Sequence, residues 1–481
     1  MFLGIDIGTS AIKAVLVDEA GAVAGESRVA LSISHPKPLW SEQDPHDWWT
    51  AVGEAVAGLE PALRAKVRAV GLSGQMHGAV LLDRARDVVR PAILWNDGRS
   101  GAECAELLRR EPQAHALTGN LIMPGFTAPK LLWVKANEPD VWARTDLILL
   151  PKDYIRLRMT GEAAADLSDA SGTLWLDVAQ RRWCGRMLEA CELSADQMPK
   201  LYEGDAVTGI LRAEIAEAWG MPRVPMAGGG GDNAAGAVGV GVIREGDALL
   251  SLGTSGVLFT ATDSFRPNVA GTVHAFCHCL PQRWHQMSVM LNAASCLDWV
   301  VRLTGQTDVA ALLADVEAGG QRHTSELFLP YLTGERTPHN NPHAKGVFHG
   351  LTAATDRRAL SLAVLQGVAL GLADGLEVLT DAGARPETIS VIGGGARSAF
   401  WGEILAAALN TPLVYRDGGD VGPAFGAARL ARLCLGEDSA EAVCTAPPVL
   451  AVVEPDPALA ATLLAKRPLF KQIYSQLEST F

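Results

Sequence analysis

An aspartate stands near the end of the first apolar run, Phe2-Leu3-Gly4-Ile5-Asp6-Ile7, and a turn of small residues, Gly8-Thr9-Ser10, follows it. Such a turn exposes successive backbone N–H groups, and its hydroxyls add donors, so it suits phosphate oxygens. Nearly the same phrase returns half a chain later as Leu252-Gly253-Thr254-Ser255-Gly256. One such turn alone reads as an ordinary hairpin. Two of them, with a carboxylate beside the first, read as two grips on one polyphosphate. No G-x-x-x-x-G-K-[ST] stretch occurs, which excludes a P-loop.

The second candidate is Asp232, which follows the glycine run 228–231 and opens a helical pattern with Asn233. Glycines let a backbone approach a ligand closely. A lone aspartate there can be only a helix cap; its place at the join of two halves, where a cleft is expected, favours a catalytic role. Met76 and His77 sit in a glycine-flanked loop, "SGQMHGA". A lone histidine is more often structural than functional. "GGGARS" (393–398) leads from a strand pattern into a helix pattern, an entry that admits a phosphate or a flat ring, though it is weak evidence alone. Asn96, Asp97 and Arg99 offer polar groups able to bind hydroxyls, or equally form a solvated loop.

These residues need elements to position them. Residues 2–7 and 12–17 predict a β-hairpin, and 66–83 a strand, a glycine loop and a strand. Residues 47–60 and 128–137 read as helices. The stretch 224–243 reads as strand, glycine loop and helix, and at 248–262 the opening plan restarts. Helical stretches follow near 288–304 and at 357–382, then strand, glycines and helix at 389–410, and a helix at 420–434. Residues 446–457, rich in proline, read as a linker before a terminal helix. No short repeat period exists, so solenoids and propellers are excluded, and two related α/β halves are the economical reading.

The chain has 481 residues, more than one compact core holds. Its formal net charge of −13 excludes a general attraction to nucleic acid or anionic membrane. Asp6 falls where a secretory leader would be apolar, so a cytoplasmic location is expected. The eight cysteines are scattered without paired CxxC knuckles, which argues for reduced thiols rather than a structural zinc site.

Together these motifs resemble the FGGY carbohydrate kinases, relatives of the actin and Hsp70 ATPases. "TAPKLLWVKANEP" (127–139) and "GVFHGLTAATDRRALSLAVLQGVALGL" (346–372) are similar to that family's two signatures. "GQMHGAVLLD", "LPKDYIRLRMTGE", "SDASGT" and "YLTGERTPHNNPHAKGVF" resemble the members that phosphorylate D-xylulose. The likeness covers nearly the whole chain and is weakest after about residue 435. It implies an α/β fold of two ribonuclease-H-like (actin-like ATPase) domains flanking a central cleft. These would be residues 1–245, with the sugar site and the first phosphate motif, and 246–481, with the nucleotide site and a terminal helix after about 455.

The resemblance also implies ATP and Mg²⁺ as cofactors, D-xylulose as acceptor, and a homodimer. Residue by residue, Asp232 matches the catalytic base, and Met76, His77, Asp232 and Asn233 the sugar contacts. Thr9 and Lys13 match the first phosphate motif, Gly253 and Thr254 the second, and Gly394, Gly395 and Ser398 the adenosine motif. Asp6 matches the acidic residue that holds Mg²⁺ through water; a cation between Asp6 and a phosphate would reverse the sign of their interaction. A near-normal or mildly raised pKa is expected for Asp232, and closure of the halves on sugar. Family members acting on ribulose, gluconate, fuculose or glycerol are the nearest rivals. An actin-like ATPase without a sugar, or a sugar sensor, is more distant.

Overall fold

The computed structural model describes residues 1–417 and 422–481. The opening run folds as a hairpin: strand Phe2–Ile7 pairs antiparallel with Ala11–Val17, Asp6 opposite Lys13. Val23–Ala30 adds a third antiparallel strand. On the other side of the opening strand lie Ala69–Gly74 and then Pro225–Ala227, each parallel to its neighbour, and Val207–Ile210 forms the edge. A central strand covered on both faces is apolar on both; Leu3, Ile5 and Ile7 are fully buried on one face, and Phe2 and Gly4 are buried on the other. Burial of each leucine or isoleucine side chain contributes about 1.5–3 kcal/mol. Asp6, the single polar residue of this strand, is thereby held at a fixed place at its end.

The second sheet repeats the first. Ala248–Leu252, Gly256–Thr262 and Trp284–Met290 run antiparallel; Ile389–Ile392 and Leu413–Arg416 follow in parallel beside the first of them. Three antiparallel strands and two parallel ones, in the same order twice, are the duplicated ribonuclease-H-like topology. His274–Cys277 and Val449–Val453 form the two edges of this sheet. Its core packs on the helix Arg357–Asp381, capped by Asp356, whose carboxylate accepts from the Ala359 N–H. That helix is long and apolar enough to span a bilayer, but 89% of its apolar window is buried inside the protein.

Three local expectations need correction or completion. The helix near 288–304 begins only at Ser295; Trp284–Met290 is a strand paired with Gly256–Thr262. Its apolar residues fit either periodicity, and sheet pairing decides. Residues 446–457 are not simply a linker: Val449–Val453 is an edge strand on Leu413–Arg416, because the prolines flank the ladder without interrupting it. The predicted helix at 420–434 is found as Gly422–Leu433, while Asp420 and Val421 lie outside the described residues.

This last helix straps the halves together. It follows the last parallel strand of the second sheet, yet it packs on Phe2–Ile7, on Ala69–Gly74 and on the helix Asp232–Val240. The approach is backbone to backbone: a Cβ on Gly4 would sit 1.8 Å from Ala424 O, and one on Gly426 would sit 1.7 Å from Ala235 O. Arg429 donates to the carbonyls of Val238 (2.9 Å) and Gly239 (3.1 Å). It thereby satisfies C-terminal carbonyls of the helix that begins with Asp232.

Candidate active site

The first Gly-Thr-Ser turn differs from a simple picture of exposed hydroxyls. The Thr9 hydroxyl donates to Gln75 Oε1 (2.9 Å) and accepts from Trp95 Nε1 (3.0 Å), and Gln43 Nε2 donates to Thr9 O (2.8 Å). These bonds set the shape of the turn. Its free donors are the N–H groups of Thr9 and Ser10, which meet no protein acceptor among the described residues. The second turn is held through its backbone carbonyls instead. Thr254 O accepts from the N–H groups of Ala293 and Ser295, Gly253 O from that of Ala294, and the N–H groups of Thr254 and Ser255 stay free among the described residues. Lys13 projects beside the first turn and pairs with Glu26 at 3.3 Å.

Asp6 and Asp232 come together through three neighbouring strand ends. Asp6 lies opposite Ser73, whose hydroxyl donates to Asp6 Oδ1 at 2.9 Å, and Gly230 lies on the other side of Ser73. The glycine run serves this approach: Gly229 has φ +75°, and a Cβ there would sit 2.0 Å from Leu72 O. Two sequence motifs lock the run from below. Arg156 donates to Ala227 O (2.6 Å) and to Gly228 O, and Ser168 Oγ accepts from Gly231 N–H (3.1 Å). Ser168 also donates to Asp166, which pairs with the buried Lys152 at 2.8 Å.

Asp232 is the first residue of its helix, and Gly231 is the N-cap. Its Oδ1 accepts from Asn233 N–H (2.7 Å) and Nδ2 (2.8 Å), while Oδ2 has no protein partner among the described residues. Burial raises its pKa to about 6, with the Asn233 bonds opposing. That is higher than the sequence leads one to expect, because the helix and glycine loop enclose it. Burial and the neighbouring Asp232 charge push Asp6 up to about 7. A buried carboxylate whose ionisation a second carboxylate disfavours marks a site short of positive charge.

A cavity of about 280 Å³ opens against Asp232 and Asn233. Met76 and His77 line it from the first half, and Ser251, Ser255, Val257, His274 and Arg336 from the second. His77 Nδ1 lies 2.7 Å from Gly172 O. A carbonyl only accepts, so Nδ1 carries the proton and Nε2 is an acceptor. Burial lowers the ring's pKa to about 3, so it stays neutral. Lys130 holds the loop by donating to His77 O (2.9 Å) and Gly125 O (2.7 Å).

Gly394, Gly395 and Ser398 lie away from this cavity. They follow the strand Ile389–Ile392, which pairs with Ala248–Leu252, the strand leading into the second turn. Gly393 has φ +92°, and Ser398 caps the helix Ala399–Leu409 by accepting from Trp401 N–H (3.1 Å). Of the loop 94–100, Asp97 and Arg99 pair with each other at 2.7 Å in a buried network with Glu42, which is structural. Trp95, His274 and Arg336 are among the cavity residues that sequence reasoning missed. A single polar or aromatic residue in a loop, or at the start of an edge strand as His274 is, carries no local signal.

Comparison with known proteins agrees with this geometry. Residues 1–239 match the N-terminal domain of the FGGY family of carbohydrate kinases, and residues 248–433 match its C-terminal domain. A xylulose kinase of Escherichia coli strain K12 is 53% identical over 480 residues, 99% of either chain. One of Bacillus subtilis strain 168 is 37% identical, covering 89% of this chain and 87% of the relative. The crystal structure of a xyloylose kinase from Brucella ovis superposes with a TM-score of 0.95 at 45% identity, covering both chains in full. With both halves matched in order along almost its entire length, the chain belongs to the FGGY family of carbohydrate kinases.

Proposed function

We propose that the chain transfers the γ-phosphoryl group of ATP to O5 of D-xylulose, with Asp232 as general base. The observation that carries this reading is the unpartnered Oδ2 of Asp232 in a cavity walled by Met76 and His77 on one side and the second phosphate turn on the other. The high identity to xylulose kinases supports the choice of sugar.

Phosphoryl transfer asks the protein for alignment and charge stabilisation more than for covalent help. The free N–H pairs at Thr9-Ser10 and Thr254-Ser255 hold the phosphates from the two halves. Asp232 takes the proton of O5 as the O5–P bond forms, and the bond from Pγ to the β-phosphate oxygen breaks to release ADP. A pKa of about 6 suits a general base, since the carboxylate is mostly ionised at neutral pH and basic enough to accept a proton. Gly394, Gly395 and Ser398 border the nucleotide, beside the second turn. Lys13 balances charge near the first.

Asp6 fits a Mg²⁺ site. It offers hard carboxylate oxygen, it is crowded by a second carboxylate, and Mg²⁺ is ordinarily held by one or two carboxylates together with substrate phosphates. When bound, the ion supplies neutralisation of phosphate charge. His77 Nε2 accepts from a sugar hydroxyl, and Met76 covers a carbon face. Placing the division between the halves at 245/246 puts each turn in its own half, so closure on sugar excludes water from the transferring group.

A cytoplasmic location accords with eight free cysteines. A homodimer is supported by Val449, Leu450 and Val452, exposed on the edge strand of the second sheet, and light scattering tests it. The central test is ADP release with ATP, Mg²⁺ and, in turn, D-xylulose, ribulose, gluconate, fuculose and glycerol. A clear preference for D-xylulose is expected; preference for another acceptor overturns the assignment.

A further inference from the structure

Arg336 is a cation without a hydrogen-bond or ion-pair partner among the described residues, yet it lines the same cavity as Asp232 and His77. Its backbone is fixed on both sides. The preceding Glu335 accepts from the N–H groups of Leu291 and Arg336 (2.7 Å each). The following Thr337 exchanges hydrogen bonds with Val289 and donates to Thr272 O at 3.0 Å. A partly buried guanidinium, fixed by its backbone on both sides and facing this cavity without a protein acceptor among the described residues, is placed to meet a ligand there.

The polarity of the cavity says what that ligand atom is. His77 Nε2 accepts, because Nδ1 is committed to Gly172 O. The free oxygen of Asp232 accepts as well. Both therefore suit hydroxyl groups, which have protons to give. Arg336 only donates. Arg336 therefore calls for an acceptor oxygen, which a carbonyl always is.

On the reading of the substrate as D-xylulose, elementary sugar chemistry supplies such an oxygen. A 2-ketopentose closes to its furanose ring only by adding O5 to C2. In the ring form O5 carries no proton and is not a nucleophile. Phosphorylation at O5 thus requires the open chain, which has a free carbonyl at C2. We propose that Arg336 is a specificity-determining residue that donates to the C2 carbonyl oxygen of the open-chain ketose and so selects the reactive form. His77 takes a hydroxyl of the same chain, and Asp232 takes O5.

The test is infrared difference spectroscopy of the wild-type enzyme with [2-¹³C]D-xylulose, without ATP, beside steady-state kinetics of Arg336→Leu and Arg336→Lys. A bound carbonyl band is expected, at lower wavenumber than that of the free ketose. In Arg336→Leu the shift is lost and the KM for D-xylulose rises about 10- to 100-fold; Arg336→Lys, which keeps a donor, retains part of the shift. The absence of a carbonyl band in the sugar-bound wild type would show that the ring form binds. An unshifted band there, or a shift that survives in Arg336→Leu, would show that another group meets the carbonyl. Any of these overturns the proposal. The wild-type measurement needs no variant to fold. It also separates this inference from the substrate assignment, which fails when the wild type prefers another acceptor in the turnover assay.

Discussion

Replacing the proposed base by its neutral isostere, Asp232→Asn, is expected to inactivate the enzyme while making the folded protein more stable above neutral pH. The carboxyl has an ordinary value of 3.8 and is raised to about 6 in the folded state, a gap that corresponds to about 3 kcal/mol. The folded state binds this proton more tightly than the unfolded state. The ionised group therefore costs nothing below about pH 4, costs progressively more up to about pH 6, and carries its full cost above that. Asparagine removes the charge but keeps an oxygen for the Asn233 N–H. Since the side chain borders a cavity that water enters, about 3 kcal/mol is an upper figure, and a gain of about 1–3 kcal/mol at pH 8 is expected. At pH 4 the two proteins should be nearly equal.

The assay is urea unfolding of both proteins across pH 4 to 8, with turnover measured in parallel. Loss of the base should lower kcat by about 10²- to 10⁴-fold. The wild-type kcat/KM should fall toward acid with a midpoint near 6. A variant less stable than the wild type at pH 8 would make Asp232 a stabilising helix-terminal residue and refute the electrostatic reasoning. A variant with near-normal turnover would refute its role as base.

Asp6→Asn should move the midpoint of a Mg²⁺ activation curve upward by about tenfold or more, as expected for a carboxylate that holds a hydrated cation; an unchanged titration removes Asp6 from the metal site. His77→Ala should raise the KM for D-xylulose about 5- to 10-fold with a smaller change in kcat, and equal loss in both would place His77 outside the sugar contacts. Gly426→Val should destabilise the fold by about 1–3 kcal/mol or more, since its Cβ would overlap Ala235 O; an unchanged melting temperature would show that the strap does not hold the Asp232 helix.

Local pattern carried much of this protein. The hairpin of Phe2–Ile7 and Ala11–Val17, its echo at Ala248–Leu252 and Gly256–Thr262, and the turns between them were legible because alternation, glycine and small hydroxyl residues act within a few positions of one another. So was the entry to Asp232, since a glycine run before a helix has a local steric meaning. The strand Trp284–Met290 was not legible, because an apolar run without punctuation satisfies either period until a neighbour supplies hydrogen bonds. The edge strand Val449–Val453 hid among prolines for the same reason.

The chemistry of the site was decided only in three dimensions. Nothing local says that Thr9's hydroxyl is committed to Gln75, that burial raises Asp232 to about 6, or that Gly172 fixes the tautomer of His77. Arg336 meets Asp232 and His77 in one cavity only because segments far apart in sequence are packed around it. Residue type sets which protons a side chain can give or take; desolvation and partner geometry, which depend on the whole packed chain, set which of them it has left to offer.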